Sequence, residues 1–214
     1  FEKLNFDKSF ILVALNMASL SYTNLLYSNC KNIIFWLDGV CAKFMIKNYH
    51  KTAGRKVIEK INLPETINNI YLCGKKSDKQ IDYIKSKFKK EVEFIELPFF
   101  KNLYQTAKFK SNIKDNSLIV LNISTPKQEI IANNILKNNN EKKIFILCLG
   151  GGVAMAAGEE KIVPETIEKM NLEWMWRLRT DTLFRLKRLA KTAFIFFIKK
   201  FFNYFKKLKF TELN

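Results

Sequence analysis

Apolar runs of strand length alternate along the chain with segments of helical period. The strand-like runs are Phe10–Leu15, Ile33–Leu37, 69–73, 91–97, 117–123 and 143–149. Helical segments are expected over 18–28, 40–49, 55–61, 78–89, 101–110 and 126–136. Runs such as IIFWL, LIVLNI and IFILCL are almost continuously apolar. That is the pattern of strands covered on both faces. Alternation of β and α elements predicts an α/β layered fold with a mostly parallel sheet. In such folds ligands collect beyond the carboxyl ends of the strands, so the loops that follow strands are where chemistry is expected.

Composition narrows the class. The chain has 214 residues, of which 48% are apolar, with only 7 Gly and 4 Pro. Disordered and collagen-like chains are excluded, and the length is ample for a buried core. Cys30, Cys41, Cys73 and Cys148 are widely spaced, with no CxxC pair. A zinc ribbon is excluded and a disulfide framework is not expected, which points to a reducing, cytoplasmic compartment. A single histidine, His50, excludes any site that needs two. No stretch reaches the roughly 18 apolar residues of a transmembrane helix, and the N-terminal residues lack the pattern of a signal peptide. Phe1 is not an initiator residue, so a fragment or processed form is expected.

Charge changes the picture at the C-terminus. Lys and Arg number 37 against 20 acids, a net +17. Residues 182–214 hold nine of those cations and one acid, Glu212. At 100° per residue, Leu183, Leu186, Ala190, Phe194, Phe197, Phe201, Phe205 and Leu208 form one stripe. Arg185, Arg188, Lys199, Lys206 and Lys207 lie opposite, while Ile195 and Phe196 interrupt the polar side. The result is a cationic amphipathic helix. Three roles fit it: packing of the Phe stripe on the core or another subunit, binding to a membrane surface, and neutralising nucleic-acid phosphates. No RNP, helix-turn-helix or zinc-finger signature accompanies the third. At a membrane each nearby cation contributes about 1 kcal/mol.

Four segments could carry chemistry. Asp38-Gly39 directly follows the strand IIFWL. It suits a general base or a ribose contact, and equally a plain turn. Thr125-Pro126-Lys127-Gln128-Glu129 follows LIVLNI. Thr125 suits an N-cap, Pro126 the first helical position and Gln128 a capping box; alternatively Lys127 and Gln128 face an anionic ligand. Gly150-Gly151-Gly152 follows IFILCL and lets backbone approach a diphosphate, though it matches neither GxGxxG nor a P-loop. Residues 172–178 (LEWMWRL), with Arg185, Lys187 and Arg188 beyond, form either an ordinary amphipathic helix or an arginine clamp for phosphate.

The order and wording of LDGV (37–40), TPKQE (125–129), GGGVAMAAG (150–158), Pro164 and NLEWMWRL…FRLKR (171–188) resemble the WecG/TagA/CpsF glycosyltransferase family. ALN (14–16) resembles its first motif, and the likeness covers about residues 10–190. The resemblance implies a Rossmann-like domain, 1–180, and a basic, Phe-rich membrane-associating helical tail, 181–214. It implies an inverting transferase that moves a hexosyl or N-acetylhexosaminyl unit from a UDP-sugar to a polyprenyl-diphosphate-linked sugar. It further implies that the work is done without a metal or other cofactor, by a homo-oligomer at the cytoplasmic face of the plasma membrane, for cell-surface polysaccharide. By the same resemblance Asp38 is the base. Lys127 and Gln128 line the donor or acceptor site, and Asn16 is the asparagine of the first motif. Gly150 and Gly152 lie near the nucleotide. Arg177, Arg185 and Arg188 sit near the acceptor diphosphate.

Departures from the family pattern are Ala14 for a threonine, Lys51 for an arginine, Lys56 for an aspartate, Ile162 for the arginine of a RAP triplet, and Ala154-Met155 for an aspartate. These departures leave room for a non-catalytic membrane-surface assembly protein that keeps the fold, and the basic tail leaves a nucleic-acid-binding module as a third class.

Overall fold

The computed structural model describes residues 4–22, 32–39, 51–98, 106, 112–170, 172–179 and 182–201. Its strands are β1 (Phe10–Leu15), β2 (Ile33–Leu37), β3 (Asn69–Gly74), β4 (Val92–Glu96), β5 (Ser117–Leu121) and β6 (Ile144–Cys148). They form one all-parallel sheet in the order β2-β1-β6-β5-β3-β4. The described helices are α1 (Met17–Ser21), α2 (Gly54–Lys60), α3 (Asp78–Phe88), α4 (Lys127–Asn138), α5 (Gly152–Ala156), α6 (Glu165–Lys169), α7 (Glu173–Arg177) and α8 (Thr182–Phe201). The helices expected over 40–49 and 101–110, and the second half of 18–28, lie outside the described residues apart from Thr106.

Side chains alternate across the sheet with the period of two that strands impose. Phe10, Leu12, Leu118, Val120, Phe145 and Leu147 enter a core with Val57 and Ile58 of α2, Ile84 of α3 and Val153 of α5. Ile11, Val13, Ile119, Leu121, Ile144 and Ile146 face the opposite layer, with Ile131 and Ile135 of α4. Both layers are apolar, which is why the strands read as unbroken runs. α3 and α4 lie on opposite faces, and they carry the chain outward from β3 to β4 and inward from β5 to β6. The connections diverge between β3 and β5, and such a divergence opens a crevice at the carboxyl edge.

Two features fix the C-terminal segments. Gly152 begins α5 against the start of α2: a Cβ there would lie 2.9 Å from the carbonyl carbon of Gly54 and 3.1 Å from the Arg55 nitrogen. Only glycine lets these two backbones approach so closely. Beyond α5, the α6–α7 segment is held on the start of α2 by ion pairs. Glu168 receives Arg55 at 2.7 Å and Lys56 at 2.9 Å, Lys51 pairs with Glu173, and Lys51 also donates to the Glu168 carbonyl at 3.4 Å. Burial raises the Glu168 carboxyl, but the Lys56 hydrogen bond and the charges of Lys56, Arg55 and Lys51 outweigh it, so Glu168 titrates below the ordinary glutamate range. Lys51 and Lys56, departures from the family pattern, thus have acids as partners.

The tail helix α8 docks by a different face from the expected stripe. Phe196 is 2% exposed, packed on Leu15 and Leu20, and Ser21 Oγ donates to the Thr192 carbonyl at 3.0 Å. Phe196, which read as an interruption of the polar side, is the anchor. The stripe itself faces outward: Phe194 is 68%, Phe197 61% and Phe201 81% exposed. The 189, 192, 196 spacing satisfies a helical period as well as the Phe stripe does, and only packing against α1 decides between the two faces. No described helix is long and apolar enough to cross a membrane.

Gly152→Ala is expected to destabilise the fold by about 1–3 kcal/mol, because backbone must move to admit the methyl group. Gly151→Ala, with nothing nearer than 4.0 Å, is the control. Chemical denaturation of both variants checks this. Glu168→Gln is expected to cost about 1–2 kcal/mol near neutral pH by leaving Arg55 and Lys56 without their carboxylate. The native carboxyl binds its proton less readily than the unfolded one, so this stabilisation is present above the ordinary glutamate value and fades as pH falls through the lowered one. Melting temperatures of wild type and variant should therefore converge in acid.

Candidate active site at the carboxyl edge of the sheet

Because every strand is parallel, the loops after β2, β1, β6, β5 and β3 emerge side by side in that order. They bring together Asp38, Asn16, Gly150, the 122–128 segment and Gly74. Neighbouring strands lie about 4.8 Å apart, so β2 and β5 are separated by about 14 Å.

Asp38 is half-buried at the end of β2, its N–H donating to the Leu15 carbonyl at 3.2 Å. Gly39 follows with φ +77°, and a Cβ on it would sit 3.9 Å from Asn16 Cβ. The first two strands thus place Asn16 and the Asp38-Gly39 turn next to each other. Asn16 caps α1: its Oδ1 accepts from Ala18 and Ser19 N–H at 3.0 and 3.1 Å, while Ser19 Oγ accepts from its N–H at 2.9 Å. The side-chain amide nitrogen takes no part in that box.

Gly150 sits in a tight turn after β6 with φ +52°. Its N–H is shared between the Leu121 carbonyl and Gln128 Oε1, both at 3.1 Å. Gln128 therefore ties the loop after β5 to the glycine turn after β6. Gly152 lies buried one turn on, packed against α2, while Lys127 is half-buried at the start of α4. The expected capping box is not formed. Pro126 takes the cap position with no side-chain cap bond, and helix begins at Lys127. Thr125 Oγ1 instead donates to Glu129 Oε1 at 2.7 Å, and Gln128 Nε2 reaches the same oxygen at 3.0 Å. A buried carboxyl outcompeted the backbone for both side chains. Burial pushes the Glu129 pKa up, against the Thr125 and Gln128 hydrogen bonds that pull it down.

Beside this lies a second polar group that sequence reasoning missed. Glu159 accepts from Ser77 Oγ and from Gln80 Nε2, and Asn122 Nδ2 donates to Gln80 Oε1 at 2.8 Å. Burial raises the Glu159 carboxyl, yet the hydrogen bonds from Ser77 and Gln80 and the nearby charges of Lys79 and Lys75 bring it below the ordinary range. Asn122 lies over Gly74, where a Cβ would fall 1.5 Å from its Oδ1. The network spans the crevice between β3 and β5. An asparagine just after a strand was the signal that could have found it. Among the described residues the buried side-chain polar atoms without a partner are Trp36 Nε1, Asn122 Oδ1 and Glu129 Oε2. They sit near the end of β2, just after β5 and in the first turn of α4, all toward this edge, the pattern of a polar site rather than of a finished core.

The arginines are on the C-terminal helices. Arg177 ends α7, Arg185 is in the first turns of α8, and Arg188 is exposed one turn later. Trp176, next to Arg177, stacks under the Arg179 guanidinium at 4.4 Å. Ala14 is buried in the core and Ile162 is exposed. Cys73 and Cys148 are buried thiols, and burial together with Glu93 pushes Cys73 up to about 12. No three described His, Cys, Asp or Glu side chains are placed to hold a metal ion.

The edge therefore presents a carboxylate, an amide, a glycine turn and a helix N-terminus in one row. No curated protein matches the chain. The model of the WecG/TagA/CpsF glycosyl transferase family matches residues 47–210, a span that holds the 125–129, 150–158 and 171–188 segments and leaves Asn16 and Asp38 upstream. With most of its length matched, the chain belongs to the WecG/TagA/CpsF glycosyltransferase family, whose members act in cell-surface polysaccharide synthesis.

Proposed function

We propose that this glycosyltransferase moves a hexosyl or N-acetylhexosaminyl unit from a UDP-sugar to a polyprenyl-diphosphate-linked sugar, with inversion. The observation that carries the reading is the row Asp38, Asn16, Gly150, Gln128, Asn122 along one sheet edge. A nucleotide sugar laid along it puts its base and ribose in the β3–β5 crevice, beside Asn122 and Gln80. Its diphosphate comes to the Gly150 turn and the N-terminus of α4, with Lys127 and Gln128. Its sugar comes to Asn16 and Asp38.

The chemistry follows from that placement. Asp38 takes the proton of the acceptor hydroxyl as that oxygen attacks the anomeric carbon. The bond to the diphosphate oxygen breaks on the opposite side, so one displacement inverts the carbon. Charge grows on the departing UDP, where the α4 N-terminus and Lys127 oppose it. Arg177, Arg185 and Arg188 meet the acceptor's own diphosphate, which arrives from the membrane side. Residues 1–180 act as the catalytic part and 181–214 as the tail, with further copies of the chain as partners. The exposed Phe194, Phe197 and Phe201, with lysines alongside, support a peripheral seat on the cytoplasmic face of the plasma membrane.

Purified protein given UDP-sugars and a polyprenyl-diphosphate-linked sugar is expected to release UDP. Asp38→Asn should lower kcat by about a hundred-fold or more while leaving the melting temperature unchanged. Release that survives this substitution would remove Asp38 from the role of base. Replacing Phe194, Phe197 and Phe201 together by Ser should weaken binding to anionic vesicles by about a thousand-fold or more, since each buried Phe contributes about 1.5–3 kcal/mol. Turnover on a short, water-soluble acceptor should not change. Vesicle sedimentation and the two turnover assays read this out.

A further inference from the structure

The mechanism leaves Glu129 without a part, although its side chain is only 3% exposed in the first turn of α4. Its Oε1 accepts from Thr125 Oγ1 at 2.7 Å and from Gln128 Nε2 at 3.0 Å, and Gln128 Nε2 also reaches Thr125 Oγ1 at 3.1 Å. A primary amide has two N–H hydrogens and one carbonyl oxygen. Here both hydrogens point toward Glu129 and Thr125, so the carbonyl is turned toward Gly150, whose N–H it receives at 3.1 Å. Reversing the amide would aim its hydrogens at that N–H. The orientation of Gln128 is therefore set by an acceptor at Glu129 Oε1.

We propose that Glu129 is a positioning residue of the donor site: it fixes the Gln128 amide, and through it the Gly150 turn, in the geometry that receives a nucleoside diphosphate. The inference rests on the reading of this edge as the donor site. Glu129 reaches the ligand only through Gln128. Its own Oε2 is buried with no partner, which would be a costly place for a full negative charge. Against the burial that raises the carboxyl stand the hydrogen bonds of Thr125, Gln128 and its own backbone N–H. Burial accordingly favours the neutral acid, which still offers Oε1 as an acceptor.

Glu129→Gln keeps that acceptor, whereas Glu129→Leu fills the same space without it. In full-length protein, calorimetric titration with UDP is expected to give Glu129→Gln an affinity within about three-fold of wild type. Glu129→Leu should bind about ten-fold more weakly or worse, the loss expected when a fixed polar contact is freed. With a UDP-sugar, Glu129→Leu should raise KM for the donor more than it lowers kcat. The Gly150 amide should exchange with solvent faster in Glu129→Leu than in wild type or Glu129→Gln, with or without nucleotide. Wild-type affinity and exchange in Glu129→Leu would overturn the positioning role and leave the donor site standing. A wild-type protein that binds no UDP, yet shows the exchange difference, would overturn the donor-site reading and confine Glu129 to setting the turn.

A pH series separates this carboxyl from a mere space-filler. The native protein keeps the Glu129 proton to higher pH than the unfolded chain, so wild type should lose stability as pH rises from the ordinary glutamate value through the raised native one. Glu129→Gln should lack that decline. Identical melting curves against pH for the two proteins would show that Glu129 is not held neutral.

Discussion

Parallel pairing of all six strands is the constraint from which the rest follows. A parallel neighbour can be reached only by crossing over the sheet, so helices must cover both faces. Coverage makes the inner strands apolar on both sides, while the edge strand β4 keeps Glu93 and Glu96 exposed. It also forces every strand-to-helix loop onto one edge, whatever those loops contain. Asp38, Asn16, Gly150 and Gln128 are far apart in sequence and stand in one row because the sheet has no other place for them. The polar atoms left without partners gather at the same edge, where chain geometry rather than packing dictates position.

The sheet was legible in the sequence because its signal is simple. Runs such as FILVAL and IIFWL have the length and composition of doubly buried strands, and both begin and end where expected. The functional edge was legible as far as strand ends predict loops. What escaped was anything decided by competition between two plausible partners. The TPKQE segment has the letters of a capping box, but the hydroxyl and amide that would cap went to a buried carboxyl instead. Lys51 and Lys56 read as losses, because their acids lie more than a hundred residues downstream. Glu159 joins Ser77 and Gln80 across a comparable separation. A local pattern carries no information about such pairs.

The tail shows the same ambiguity in another form. One helix satisfies two periodicities at once, Thr192 and Phe196 on one side, Phe194, Phe197 and Phe201 on another. The first is spent on α1, directly behind the asparagine that borders the Asp38 turn. The second remains outward. Holding both faces on one rigid element gives the aromatic side a fixed orientation relative to the row of strand-end loops, which a flexible linker could not do.

The clasp between α2 and the α6–α7 segment also bears on how such chains diverge. Cations at 51, 55 and 56 meet acids at 168 and 173, so neither half has a compatible charge without the other. A hybrid that borrows residues 51–56 from a relative with an aspartate at the Lys56 position would set that acid against Glu168, and like charges at this range repel. Recombination within the fold therefore has a natural unit: the start of α2 and the two short helices must be inherited together or not at all.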